Sequence, residues 1–264
     1  MEYFCNEVNN CEQKCDVNFF GGEPLLNIPM MEYCIENLND NIKLNLYTNG
    51  DNIEQIYNKT YLKKLNIQVT AYDIFENCEK YHKMCKNIPN LLFSYTFDQT
   101  NIHLIETYKQ ICREKLNGNF KFALSHSNES WCNIENDKLC EKISEIVKNE
   151  IKDSIYNHKL SKFIEPKVKR LIELKNNKDI KEFTCLDGDK KTFYRGKFLE
   201  IPCILYSDKK ILNKNNYKKC LSCDYKKICT KSCYYECING EVPEKLCLIE
   251  KCQFDVLLNY IFCK

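Results

Sequence analysis

The chain has 264 residues, of which 44% are hydrophobic, so it is long enough for one substantial domain and a small one. Its formal net charge of +2, without a basic run, gives no electrostatic case for a nucleic-acid or anionic-membrane partner. No apolar run approaches the roughly 18 residues that span a bilayer. Because the chain also opens without a secretory signal, we expect a soluble cytoplasmic protein.

Short strands alternate with helices in the first half of the chain. Strands are predicted at residues 16–20, 42–47, 67–71, 91–97 and 120–124, and helices at 29–39, 57–65, 77–85 and 101–116. Strands of about five residues that alternate with helices indicate parallel β/α units. A charged helical stretch over residues 138–175, interrupted by Pro166, suits a linker. The sequence therefore predicts an α/β fold followed by a second, smaller module.

Polar segments follow the first three of these strands, and the first two of the segments contain glycine. The segments are Gly21-Gly22-Glu23-Pro24, Thr48-Asn49-Gly50 and Tyr72-Asp73. Such strand ends form small-molecule sites in parallel α/β folds, and glycine lets the backbone approach a ligand closely. Each segment also has a structural explanation: Glu23 can cap the following helix, Asn49 can belong to a turn, and Asp73 can be a helix N-cap.

The cysteines predict a metal site near the end of the chain. Nineteen cysteines are present, and four of them, Cys220, Cys223, Cys229 and Cys233, have the spacing C-x2-C-x5-C-x3-C, with Cys247 beyond. Neither helix nor strand periodicity produces this spacing. Interleaved lysines offset the negative charge of thiolates and their metal. A disulfide-stapled secreted module is the alternative, and zinc held tetrahedrally is another.

These motifs resemble those of a known family. Residues 19–27, F-F-G-G-E-P-L-L-N, are similar to the GGE segment of radical S-adenosylmethionine (radical SAM) enzymes, and Thr48-Asn49-Gly50 is similar to their T-N-G strand end. The cysteine array resembles the SPASM extension of radical SAM maturases of peptides and proteins, with Cys185 and Cys203 as its upstream hairpin cysteines. The resemblance implies an incomplete parallel (β/α) TIM-like barrel over residues 1–137, a helical linker over 138–180 and a SPASM-type iron-sulfur domain over 181–264.

The resemblance also implies cofactors and partners. S-adenosylmethionine would bind through the backbone around Gly21, Gly22 and Glu23, with Thr48 and Asn49 on the same face and Asp73 near a ribose hydroxyl. Two auxiliary [4Fe-4S] clusters would be held by two cysteine sets. These are Cys220, Cys223, Cys229 and Cys247 for one, and Cys185, Cys203, Cys233 and an unassigned ligand for the other. The implied partners are a peptide or small protein substrate, cysteine-rich as one option, and an electron donor such as a ferredoxin or flavodoxin.

One departure from the family concerns its catalytic cluster. Relatives hold that cluster with a C-x3-C-x2-C loop before the GGE segment, and this sequence contains no such triplet. Cys11 and Cys15 have the first spacing, but Asn18 stands where the third cysteine would be. We expect either a chain that begins late or a natural loss, and in both cases no cleavage of S-adenosylmethionine by this chain. The alternative function is a non-catalytic peptide-binding module with cysteine-ligated structural metal.

The remaining cysteines are predicted to be small hydrophobic or incidental residues. They are Cys5, Cys34, Cys78, Cys85, Cys112, Cys132, Cys140 and Cys263. Cys237 and Cys252 are close enough to the array to compete as ligands. Cys252 lies in a helical stretch predicted over residues 248–262, where a buried free cysteine is the common case.

Overall fold

A computed structural model describes most of the chain. The described residues are 1–12, 15–176, 191–194, 196–199, 220, 222–229 and 243–262. They divide into two compact units: Met1–Phe97, Asn101–Ala123 and Phe193–Lys197 form the first, and Asp98–Thr100, Leu124–Thr192 and Phe198–Lys264 form the second. The domain boundaries predicted after residues 137 and 180 stay predictions.

A five-stranded sheet is the centre of the first unit. Its strands are β1 (Asp16–Phe19), β2 (Lys43–Thr48), β3 (Leu65–Thr70), β4 (Leu91–Phe97) and β5 (Phe120–Leu124), which lie side by side in chain order. The pairs from β1 to β4 are parallel. The predicted α/β class with a parallel sheet is therefore confirmed, as an open sheet in which no described strand pair closes a barrel.

Helices connect most of these strands. Helix α1 (Glu2–Asn9) precedes β1, whereas α2 (Ile28–Asn37), α3 (Cys78–Asn87) and α4 (Ile105–Lys115) connect β1 to β2, β3 to β4 and β4 to β5. The helix predicted over residues 57–65 is wrong, because two 3₁₀ turns, Ile53–Ile56 and Thr60–Lys64, connect β2 to β3. Ile53, Ile56 and Leu62 are buried. Ile53 and Ile56 belong to the first turn and are three residues apart, which is the period of a 3₁₀ helix; Leu62 belongs to the second turn.

The two faces of the sheet differ in polarity. One face is apolar: Phe19 lies opposite Leu46, Leu46 opposite Ile67, and all three are buried. Helices α3 and α4 pack against β4 through edge-to-face ring pairs, Tyr81 with Phe93 and Tyr108 with Phe97. The opposite face carries polar side chains at the alternate positions of β1, β2 and β3. The core of the first unit therefore lies on one side of its sheet.

Three helices form the described core of the second unit. They are α5 (Asn136–Tyr156), α6 (Glu165–Lys175) and α7 (Glu244–Phe262). Val147, Ile151, Ile164 and Leu257 pack together in one cluster. Pro166 stands in the first turn of α6, so it begins a helix rather than interrupting one.

A disulfide between Cys140 and Cys252 joins α5 to α7. Cys252 is buried as expected, but the expectations that it is free and that Cys140 is a small hydrophobic or incidental residue are wrong. The two cysteines are 112 residues apart in sequence, and helix packing brings them together.

Two short strands, β6 (Thr192–Tyr194) and β7 (Lys197–Leu199), form a separate two-stranded sheet. Among the described residues, no helix combines the length and the apolar composition needed to cross a bilayer.

Candidate functional site

The carboxylate of Glu23 joins the ends of the first two strands. Its Oε1 atom accepts a hydrogen bond from the Thr48 hydroxyl at 2.6 Å, and its Oε2 atom accepts one from the backbone N–H of Asn49 at 2.8 Å. Oε1 also accepts from the backbone N–H of Leu25 at 3.1 Å, which caps the 3₁₀ turn Pro24–Asn27. The capping explanation for Glu23 is therefore correct. The structure also brings three of the predicted site residues together.

The segment after β2 is a tight turn. The Thr48 hydroxyl accepts from the backbone N–H of Gly50 at 2.9 Å, and Asn49 Oδ1 accepts from the backbone N–H of Asp51 at 2.9 Å. Gly50 has a φ of +83°, which favours glycine, and a Cβ atom there would lie 2.9 Å from Met84 Cε and 3.0 Å from Val69 Cγ1, so a larger residue would be strained and would displace its neighbours. The turn explanation for this segment also holds.

Gly21 and Gly22 form an exposed loop at the carboxyl end of β1. Both have positive φ angles, +90° and +59°, which favour glycine. A Cβ atom on either would meet no atom within 4 Å, their chain neighbours aside. Glycine is therefore required at these two positions by the backbone conformation, since no neighbouring atom would obstruct a Cβ. The space beside their backbone is open to a small molecule.

Asp73 lies in the turn after β3, and its carboxylate is already hydrogen-bonded. The Tyr81 hydroxyl donates to Oδ1, and the Asn77 side-chain amide donates to Oδ2 at 2.7 Å. The hydrogen bond from Tyr81 lowers the pKa of Asp73; partial burial opposes this effect, and Asn77 adds to it. Helix α3 begins at Cys78 after Asn77, so the suggestion that Asp73 is a helix N-cap is wrong.

Two further residues lie at this edge of the sheet: Lys80, which was missed from the sequence, and Tyr72, which was named only as part of a strand end. The Lys80 ammonium lies 2.9 Å from Asp51 Oδ1 and 3.8 Å from Asp73 Oδ1, so it links the turns after β2 and β3. Tyr72 is 60% exposed. Partial burial raises its pKa, and the charges of Glu23 and Asp51 raise it further. Tyr72 directly follows a predicted strand, which is a usable signal, whereas Lys80 belongs to a different β/α unit from Asp51.

Four cysteines of the array lie in the described part of the second unit. Cys220, Cys223, Cys229 and Cys247 are half-buried, and none is disulfide-bonded. The backbone N–H of Cys223 donates to the Cys220 carbonyl at 3.3 Å in a turn. Cys185, Cys203 and Cys233 lie outside the described residues. Within the described ranges, no three His, Cys, Asp or Glu side chains form a group that could hold a metal ion. Cluster ligation stays a prediction.

The loop that contains Cys223 and Cys229 is held against α7. The Tyr225 hydroxyl donates to Asp255, and the Tyr225 ring stacks on Phe254 with centroids 6.4 Å apart. The hydrogen bond to Asp255, followed by burial, raises the pKa of Tyr225 to about 12. Ile228, three residues after Tyr225, is also buried. Cys247 lies in the first turn of the same helix.

Comparisons with known proteins identify the fold. No family model matches the chain, and no curated protein matches it. Its structure is similar to that of anSMEcpe, an anaerobic sulfatase-maturating enzyme, solved with bound AdoMet (S-adenosylmethionine): the TM-score is 0.68 and the identity 14%, over 99% of this chain and 87% of the other. It is also similar to anSMEcpe with bound AdoMet and Kp18Cys peptide, with a TM-score of 0.67 and 15% identity over 97% and 86%.

A third structure, anSMEcpe with bound AdoMet and Cp18Cys peptide, gives a TM-score of 0.66 at 15% identity, over 97% of this chain and 87% of the other. Likeness at this level of identity shows the fold. The fold of this chain is therefore similar to that of anSMEcpe.

The hydrogen bond between Glu23 and Thr48 should couple β1 to β2. We expect Glu23→Ala to lower the free energy of unfolding by about 2–4 kcal/mol, because it leaves several donors without their acceptor, and Thr48→Val to lower it by about 1–2 kcal/mol. In the double variant the loss should be smaller than the sum by about 1 kcal/mol. Urea unfolding of all four proteins measures this coupling, and strictly additive losses would contradict it.

Asp73 should contribute to stability only above acidic pH. Its pKa is lower in the folded protein than the value of about 3.9 in an unfolded chain. The unfolded state therefore takes up the proton first, and stability falls as the pH drops below about 4 toward the folded pKa. Urea midpoints across this range should fall less steeply for Asp73→Asn than for the parent protein. Asp40→Asn is the control, because the Asp40 ion pair with Lys64 is exposed and screened; an equal change in both variants would refute the assignment.

Proposed function

We propose that the chain is a radical SAM/SPASM-type protein of the lineage that modifies side chains of peptides or proteins. In this proposal the first unit binds S-adenosylmethionine, and the second holds auxiliary [4Fe-4S] clusters. The observation that carries the proposal is the open glycine loop at the carboxyl end of β1, anchored to β2 through Glu23. The fold is shared with structures that contain bound AdoMet and peptides.

The glycine loop suits the methionyl end of S-adenosylmethionine. Gly21 and Gly22 offer backbone groups in open space, with no side chain between them and a ligand. Glu23 keeps this loop beside Thr48 and Asn49, while its own carboxylate is occupied by donors of the protein. Its role in this site is to position the loop. When bound beside a reduced cluster, the cofactor supplies radical chemistry for removal of a substrate hydrogen.

Asp73 would bind a ribose hydroxyl through its remaining lone pairs. A carboxylate has about four acceptor positions, and the described contacts of Asp73 are Tyr81, Asn77 and the more distant Lys80. These contacts hold the carboxylate in one orientation and keep it ionised at neutral pH. An oriented, ionised carboxylate is a suitable acceptor for a hydroxyl group.

The cysteines suit iron-sulfur clusters by their donor chemistry. Thiolates are the usual ligands of [4Fe-4S] clusters. In the proposal Cys220, Cys223, Cys229 and Cys247 hold one cluster, and Cys233 joins Cys185 and Cys203 at the other. The loop around Tyr225, which contains two of these cysteines and which α7 holds in place, supports this part of the proposal.

The proposed activity lacks one part within this sequence. No C-x3-C-x2-C triplet is present to hold the cluster that reduces S-adenosylmethionine. We therefore propose that this chain alone binds S-adenosylmethionine without cleaving it. A peptide substrate and an electron donor such as a ferredoxin or flavodoxin complete the proposal.

The metal content tests the cluster part of the proposal. Protein purified without oxygen should be brown and contain about eight iron atoms per chain, the content of two [4Fe-4S] clusters. Replacing Cys220 and Cys223 together by serine should remove about half of this iron, whereas Cys132→Ser, at an exposed cysteine outside the array, should remove none. Zinc alone after anaerobic reconstitution with iron and sulfide would contradict the proposal and favour the non-catalytic peptide-binding module.

Binding of S-adenosylmethionine tests the glycine loop. We expect Gly22→Ala to weaken binding at least about tenfold by calorimetry, because a methyl group would enter the open space and the positive φ would be strained. Gly118→Ala is the matched control, since Gly118 also has a positive φ (+69°) and open surroundings, but lies after α4. Equal weakening in the two variants would show that the loop is not the site.

A further inference from the structure

The polar face of the sheet carries a row of three asparagines, called here the asparagine ladder: Asn18, Asn45 and Asn66. Asn18 of β1 lies opposite Asn45 of β2, which lies opposite Asn66 of β3. The Asn66 side-chain nitrogen donates to Asn45 Oδ1 at 3.2 Å, and the Asn45 side-chain nitrogen donates to Asn18 Oδ1 at 2.9 Å. The three amides form one continuous hydrogen-bonded row across the strands.

The hydrogen bonds of the ladder all run in the same direction. They leave the Asn18 amide nitrogen at one end and the Asn66 amide oxygen at the other, and neither atom makes a hydrogen bond within the described part of the chain. Both residues are exposed. The ladder therefore presents a hydrogen-bond donor and an acceptor to whatever lies on this face.

The ladder is poorly explained as a stabilising feature of the sheet. Asparagine is disfavoured in strands, and a hydrogen bond between exposed amides replaces bonds to water with little net gain. Parallel sheets normally have both faces covered by apolar packing, whereas this face holds exposed amides. These observations point to a ligand that the amides contact.

The surroundings of the ladder define the chemistry of that ligand. Asp16 and Lys43, the charged pair beside it in the register, lie 3.8 Å apart and offset each other. Tyr47 follows Asn45 on the same face and is 39% exposed, and Phe20, directly after β1, is 53% exposed. Aromatic rings beside uncharged amides suit a ligand that is polar, uncharged and partly apolar, as a peptide is.

We infer that the asparagine ladder binds the main-chain amides of an extended, uncharged peptide segment that crosses the strands. This inference rests on the proposed function for the existence of a peptide substrate. Two strand spacings of about 4.8 Å separate the ends of the ladder, close to the length of three extended residues at about 3.3 Å each. Asn18 donates to a peptide carbonyl, and Asn66 accepts from a peptide N–H. Tyr47 and Phe20 contact the apolar side chains between these amides.

Peptide binding by variants of the full chain tests the inference. The probe is an end-capped peptide of serine, alanine, leucine and glycine, with lysine- and glutamate-substituted versions of the same length for comparison. Asn45→Ala breaks both hydrogen bonds of the ladder and should weaken binding of the uncharged peptide about tenfold or more. Asn9→Ala is the control, because Asn9 makes similar exposed hydrogen bonds, to Asn37 and Asn39, between α1 and the end of α2.

Spectroscopy and unfolding give independent measurements. The side-chain amide resonances of Asn18 and Asn66 should shift on addition of the uncharged peptide, and the urea midpoint of Asn45→Ala should stay close to that of the parent. If Asn45→Ala unfolds, Asn18→Ala and Asn66→Ala are used in its place, because each removes the side chain at only one end of the ladder.

Unchanged binding in the ladder variants would overturn the inference and leave the proposed function intact. Preference for a charged peptide, or no binding by the parent chain, would overturn the inference too. Binding of S-adenosylmethionine, measured separately, would then decide whether the proposed function stands.

Discussion

Parallel neighbours in a sheet share no tight turn, so additional contacts must align the ends where their loops emerge. In this protein Glu23 makes such a contact, because its carboxylate binds Thr48 and Asn49 at the end of β2 and caps its own 3₁₀ turn. Hydrogen bonds to a charged acceptor contribute about 1.5–3 kcal/mol each, which is large beside a total stability of about 5–15 kcal/mol. The exposed glycines next to Glu23 therefore lie in a loop whose position is set before any ligand arrives.

The two faces of the sheet in the first unit differ in how they are packed. The apolar face packs against helices through residues such as Leu46, Phe93 and Tyr108, and this packing provides the core. The polar face adds little to the core, so its residues can be chosen for contacts with a ligand. The described core of this unit therefore comes from packing on one face, while the other face stays polar.

The sequence predicts the features that depend on neighbouring residues. All five strands of the main sheet and the Gly-Gly-Glu loop are recognisable because alternation and glycine pairs are local patterns. Features that depend on how distant segments of the chain are aligned in space are not recognisable. Asn18, Asn45 and Asn66 each resemble an ordinary exposed strand position until the register places them in one row. The Cys140–Cys252 disulfide and the link from Lys80 to Asp51 likewise require the packed structure.

Because the carboxylate of Glu23 is already hydrogen-bonded within the protein, the Gly-Gly-Glu motif alone does not indicate a reaction. In this chain Gly-Gly-Glu is present although no C-x3-C-x2-C triplet accompanies it. Its glutamate holds the ends of β1 and β2 together, and this role does not depend on any reaction. In this chain Gly-Gly-Glu is therefore a feature of the scaffold. The inventory of cysteines around it must decide which chemistry, if any, that scaffold retains.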